Sequence, residues 1–210
     1  MKYANHRTAI DELSASEGVF TTAQAARLDI PRNSLSLAVS SGRAERVVHG
    51  AYRLSSTASL PTDELTAIWK LTSPSRLTSE RMAQFDGIVV GGTTAAALLG
   101  IGDFDLPPYR LFSPRRINSR HTGARFGVRK IEPQDVTWEC GLPITRMERT
   151  LVDLCLDLED PSLVRNAFAD AMMRGMETER LEALVSSCEA EHGRRKVLEG
   201  IRLLIAEWET

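Results

Sequence analysis

Apolar positions recur along the chain in short blocks of helical spacing and in brief apolar runs, with glycine or proline at most of the joints. The clearest series is residues 20–54, FTTAQAARLDIPRNSLSLAVSSGRAERVVHGAYRL. Thr21 and Gln24 have the spacing of a capping box, and Phe20 sits where a hydrophobic staple would, so a helix is predicted to open there. Ala23, Ala26 and Leu28 give it a narrow apolar side. Pro31 ends it, because the residue before a proline avoids helical backbone while proline itself suits the first turn of a new helix. That new helix runs from Arg32 to about Ser41. Leu35, Ala38 and Val39 share one face; Arg32, Asn33, Ser36, Leu37 and Ser40 share the other; Gly42 stops it. Residues 45–48 and 51–54 read as a hairpin turning at His49-Gly50. Helix, tight turn, helix and hairpin is the order of a winged helix-turn-helix, and an earlier helix over 7–16 would add Ile10 and Leu13 to its core.

The Ser/Thr-rich stretch 55–60, closed by Pro61, marks a boundary. Two domains are therefore predicted: 1–56, the winged helix-turn-helix, and 57–210, a larger α/β domain with a helical C-terminal end. In the second, helices are expected over 62–71 and 79–85, then a buried strand at 88–90 that Gly91-Gly92 turns into a small-residue helix, 93–99. Strand character is expected at 109–113, 125–131, 136–139 and 141–144, leaving 114–123 as a loop or hairpin. Thr145 with Glu148 has the spacing of a second capping box, opening a helix to about Leu158. Three more helices are expected, over 161–174, 177–188 and 194–208. The fold class is α+β, a mixed α/β chain.

The order F-T-T-A-Q-A-A, S-L, S-G-R, R-V, G-A-Y-R in the first segment resembles the N-terminal domain of AbiEi-type antitoxins, the DNA-binding members of type IV toxin–antitoxin systems. The similarity continues in GTTAAALLGIG from Gly92 and in GLPITRMERTLVDL from Gly141. The resemblance implies a transcriptional repressor that binds double-stranded operator DNA, regulates its own operon and opposes a nucleotidyltransferase-like toxin without requiring a stable complex with it. Inverted repeats in the operator, and self-association upon them, belong to the same expectation.

Composition changes this picture in two places. Three cysteines, Cys140, Cys155 and Cys188, with no CxxC pair, suggest reduced and mostly buried thiols in a cytoplasmic protein. No run of about eighteen apolar residues occurs, which argues against a helical membrane span, and the charged N-terminus MKYANHRTAIDEL lacks the apolar stretch of a signal peptide. The net charge of −2 hides a strong division. Residues 109–130 hold Arg110, Arg115, Arg116, Arg120, Arg125, Arg129 and Lys130 with no acid, whereas 131–210 are acidic. A basic block inside an acidic half can create a local field that the total conceals.

Helix N-termini donate to phosphates, and arginine and asparagine are the side chains that read guanine and adenine edges. The DNA-contacting set is accordingly expected among Thr22, Gln24, Arg32, Asn33, Ser34, Ser36, Ser40, Arg43, Arg46, His49 and Arg53. A winged helix can equally serve as a protein-interaction module. His49 at the wing tip and Leu37 on the outer face stand where basic side chains would be commoner, and Leu37 is expected to cover neighbouring apolar surface rather than to touch a thymine methyl. Arg115, Arg116, Arg120 and Arg125 form a candidate second patch, facing flanking DNA or an acidic partner; the plainer alternative is arginines solvated or paired with the acidic helices.

Enzymatic alternatives are weaker. Gly91-Gly92 followed by Asp103-Phe104-Asp105 has the outline of a metal-dependent nucleotidyltransferase, whose paired carboxylates on a strand would share a metal. Gly100-Ile101-Gly102 and Pro107-Pro108 bracket the pair and disfavour a strand. Thr stands where a P-loop needs Lys. His6, His49, His121 and His192 lack ligand spacing. Arg149 and Asp153, four apart, are expected to form an intrahelical or interdomain ion pair. No cofactor and no metal are expected, and a solitary regulator without a toxin is the main rival to the antitoxin.

Overall fold

The computed structural model describes residues 2–119, 121–192 and 195–208. The chain forms two compact units, Met1–Asp86 and Gly87–Thr210. Among the described residues there are ten α-helices and two sheets.

The first unit begins with α1 (Lys2–Glu17), then β1 (Phe20–Thr21), α2 (Thr22–Arg27), α3 (Arg32–Ser40), β2 (Ala44–Val48) and β3 (Ala51–Leu54). The predicted capping box forms: Gln24 N–H donates to Thr21 Oγ1 at 3.0 Å, and Thr21 N–H donates to Gln24 Oε1 at 2.9 Å. Pro31 starts α3 with extended backbone, and Gly42, at φ +71°, lets the chain leave it. The three strands make an antiparallel sheet in the order β1-β3-β2. Phe20 and Thr21 thus act as a strand as well as a helix start, a pairing too short to show as periodicity. Ile10, Leu13, Phe20, Ala25, Ile30, Leu35, Ala38 and Leu54 bury together beneath these elements.

Two further helices belong to this unit, α4 (Asp63–Leu71) and α5 (Thr78–Ala83). The expected boundary at 56/57 therefore moves to 86/87. The stretch after Leu54 is an exposed connection, but α4 packs back: Ala67 closes a cluster with Val19, Val48 and Ala51. Glu17, at the end of α1, makes the polar attachment. Its carboxylate receives Lys70 Nζ at 2.6 Å, Thr78 Oγ1 at 2.8 Å and Gln24 Nε2 at 3.1 Å. Lys70 and Glu17 side chains are 2% and 4% exposed; burial lowers the Lys70 ammonium pKa, against the pull of Glu17. At the surface Arg27 grips both carboxylate oxygens of Glu80, at 2.7 and 2.8 Å, which with the Leu77 N–H holds that carboxyl down to about 2.

The second unit holds a five-stranded mixed sheet in the order β6-β5-β4-β8-β7, made of β4 (Val89–Val90), β5 (Tyr109–Ser113), β6 (Ala124–Val128), β7 (Val136–Glu139) and β8 (Leu142–Thr145). β5 and β6 run parallel, so 114–123 crosses between strand ends and is not a hairpin. α6 (Gly92–Leu99) succeeds β4, and α7 (Met147–Leu156), α8 (Pro161–Met173), α9 (Thr178–His192) and α10 (Arg195–Trp208) make the helical end. Leu151, Val152, Leu154, Phe168, Leu181, Val185, Leu198 and Ile201 form its core. The second predicted capping box does not form. Thr145 ends β8, its hydroxyl bonds Thr150 Oγ1 at 2.7 Å, and Arg146 precedes α7 without a side-chain cap.

A fragment ending at Asp86 should unfold cooperatively in urea, as monitored by circular dichroism. One ending at Ser56 should lack a cooperative transition, because it uncovers Val19, Val48 and Ala51 and leaves Glu17 without Lys70 and Thr78.

Candidate nucleic-acid interface

The outer face of α3 carries Arg32, Asn33, Ser36, Leu37 and Ser40, all exposed, while Leu35 and Ala38 go inward. The first N–H groups of α3 have no side-chain cap. Beside α3 the β2–β3 hairpin turns at His49-Gly50, with Gly50 at φ +89°. A register shift between Arg46 and Val48 bends β2. Arg46 is exposed and lies over the Tyr52 ring, 5.7 Å from its centre. The turn is fastened to α2: Thr22 N–H donates to the Gly50 carbonyl at 2.9 Å and Thr22 Oγ1 to the same oxygen at 3.3 Å.

Between α2, α3 and the hairpin lies an open cleft of about 670 Å³ lined by Thr22, Arg32, Ser36, Arg46, His49 and Tyr52, among others. Five residues of the expected DNA-contacting set, Thr22, Arg32, Ser36, Arg46 and His49, thus meet at one concavity. Asn33 and Ser40 lie on the same outer face, although neither lines the cleft. Tyr52, which supports Arg46, is absent from the expected set; its place in an alternating strand signals only a core residue.

Three members of that set are withdrawn from the surface. Gln24 is fully buried, held by Glu17, by the Arg76 carbonyl at 2.8 Å and by the capping box. Ser34 is buried, with its hydroxyl 3.1 Å from His6 Nδ1. Arg53 is buried against Glu45 at 2.7 Å and Asp63 at 3.2 Å. Each is drawn in by a partner on another element of the unit. Arg43 turns toward α1 instead, pairing with Asp11 and the Arg7 carbonyl.

In the second unit the basic block divides. Arg110 binds Asp157 through two bonds, at 2.9 and 3.0 Å. Arg129 bridges Asp153 and Asp157 at 2.9 and 2.8 Å. Arg149 adds the intrahelical bond to Asp153, also 2.9 Å. Positive and negative groups alternate along this network, in which Arg110 and Arg129 hold α7 to the sheet. Both Arg110 and Arg129 also lie over the Phe112 ring. A Cβ at Gly91 would collide with that ring, which accounts for the glycine there without a phosphate.

Arg115, Arg116 and Arg125 are exposed; Arg120 lies outside the described residues. Arg125 shares a cleft with Asp105, Asp157 and Glu159, so its setting is mixed in charge. Asp103 and Asp105 are exposed on the irregular segment between α6 and β5, not on a strand, and the alternation that would aim them at one metal does not apply. Among the described residues no group of three or more His, Cys, Asp or Glu is placed to hold a metal ion. Of the cysteines, Cys188 is buried and Cys155 half-buried, its thiol pushed up to about 11 by burial, while Cys140 is exposed on the β7–β8 turn.

A helix with an open polar face stands beside an arginine-bearing hairpin. By sequence, residues 8–55 match the family model described as transcriptional regulator, AbiEi antitoxin. This segment covers α3 and the hairpin with most of α1. No curated protein matches the chain. Among solved structures the chain is similar to the crystal structure of the RV2827C protein from Mycobacterium tuberculosis, with a TM-score of 0.56 at 16% identity, covering 89% of this chain and 72% of that one. That likeness is one of fold. No helix among the described residues is long and apolar enough to cross a membrane.

Replacing Gln24 by Ala should lower unfolding stability by about 1–3 kcal/mol, because the Thr21 N–H and one bond to Glu17 lose their partner in a buried site. In urea titrations this loss should appear while the salt dependence of DNA binding stays unchanged, which separates a holding residue from one that touches DNA.

Proposed function

We propose that the protein is a DNA-binding transcriptional repressor that controls its own operon and serves as the antitoxin of a type IV toxin–antitoxin system, acting in the cytoplasm and without a catalytic step. The observation that carries this reading is the convergence of Arg32 and Ser36 from α3 with Arg46 and His49 from the hairpin on one cleft. With α3 in the major groove, Arg32 and Asn33 would reach base edges from the helix's first turn, while Arg46 and the free N–H groups at the start of α3 would meet phosphates. The match of residues 8–55 to the AbiEi regulators supports the same role. The pairing with a nucleotidyltransferase-like toxin rests on that likeness, and so does binding as more than one copy to inverted repeats.

The first test is a footprint of the full chain on the DNA upstream of its own gene. There, Arg32→Ala and Asn33→Ala should each weaken binding by about 1–3 kcal/mol, and by less on random DNA. Equal losses on both would mean that these residues position the protein and do not read sequence. Coexpression with a neighbouring nucleotidyltransferase-like gene should relieve its growth arrest; a chromosome lacking such a gene would leave a solitary regulator.

Arg115 and Arg116, exposed on the β5–β6 connection, are the proposed second phosphate contact. Reversing both charges should make the dependence of log K on log salt shallower, in proportion to the phosphates no longer neutralised. An unchanged slope would return them to solvated surface.

A further inference from the structure

The outer face of α3 holds one residue to which phosphate contact and hydrogen bonding give no task. Leu37 is 56% exposed, at the middle of the helix and among Arg32, Asn33, Ser36 and Ser40. The expected covering of apolar surface is only partial. It stands on the rim of a shallow groove between α1 and α3, lined also by Ile10, Ala38 and Arg43, with more than half its surface open. A single exposed leucine on an ordinary surface needs no explanation. Here its position decides, because every other open side chain of this face is a hydrogen-bonding one.

The major-groove edges of the base pairs present hydrogen-bond donors and acceptors and one prominent apolar group, the C5-methyl of thymine. Asn33 and Leu37 are four residues apart, so they lie one above the other on the same side of the helix, about 5–6 Å apart. That separation suits one base pair or two adjacent ones. We infer that Leu37 is a specificity residue that reads a thymine methyl, next to an adenine read by Asn33. The inference rests on the DNA-binding reading and goes beyond it by naming a chemical feature of the operator. The stem of Leu37 takes the methyl out of water, while the amide of Asn33 takes the N6 and N7 groups of the adenine.

The test uses the full chain and a duplex enriched by that chain from a randomised pool. The duplex is compared with copies in which individual thymines are replaced by deoxyuridine, which lacks only the methyl. A single replacement at the contacted thymine should weaken binding about fourfold, the equivalent of one buried carbon at about 0.8 kcal/mol. Leu37→Ser should bind the thymine duplex more weakly by a similar factor and should no longer distinguish it from the deoxyuridine copy. Leu37→Ala, which keeps helix propensity, should do the same, and thermal melts of both variants should stay close to that of the unsubstituted chain. Equal binding of thymine and deoxyuridine duplexes by the unsubstituted chain, with the selected sequence still preferred over random DNA, would overturn the inference alone. Discrimination that survives in Leu37→Ser would also overturn it, assigning the methyl to another side chain. A pool that yields no preferred duplex, and no binding to any, would overturn the DNA-binding reading together with it.

Discussion

The N-terminal unit depends on the carboxylate of Glu17. It is desolvated with Lys70 and takes further bonds from Gln24 and Thr78, so one anion joins the end of α1 to α2, α4 and α5. A buried ion pair is weak evidence of net stability, since desolvation offsets most of the attraction. Its effect lies in what it forbids: any arrangement that separates these four helices strands a charge in an apolar interior. Gln24 carries the constraint onward through the capping box at the start of α2. Thr22, the first residue of α2, then holds the hairpin turn. A contact remote from the cleft thus helps set where the hairpin that borders it stands.

Arginines of this chain fall into two settings, paired and open. In the second unit, Arg110, Arg129 and Arg149 are paired with Asp153 and Asp157, and their charge is cancelled where it arises. In the first unit, Arg32 and Arg46 keep open guanidinium groups at the edges of one cleft. A charge count over sequence cannot separate these cases, because it weighs Arg129 and Arg115 alike. The carboxylates that decide the matter for Arg129 lie 24 and 28 residues away, on and just after a helix.

The legible part of the chain is local. The Thr21–Gln24 box, the proline before α3, the glycine after it and the two-residue hairpin turn each arise from chemistry within a few residues, and each stands where expected. The same logic fails at Thr145 and Glu148, whose spacing is right for a cap, because Thr145 is taken by β8. Likewise Gln24, Ser34 and Arg53 are buried through Glu17, His6 and Asp63, which lie on other elements at separations that periodicity does not span. The boundary near residue 56 fails for a related reason: a polar connection is visible in the sequence, but the apolar cluster that draws α4 back against β2 and β3 is not.

The bond between Thr22 and the Gly50 carbonyl has a mechanical result. The hairpin turn is clamped to α2, so one wall of the cleft beside α3 is held by a fixed contact. On the proposed reading, a duplex entering that cleft would supply part of the adjustment, by bending or by altering its groove. Recognition would then extend to the stiffness of base steps the protein never touches, because deforming them consumes free energy that depends on their sequence.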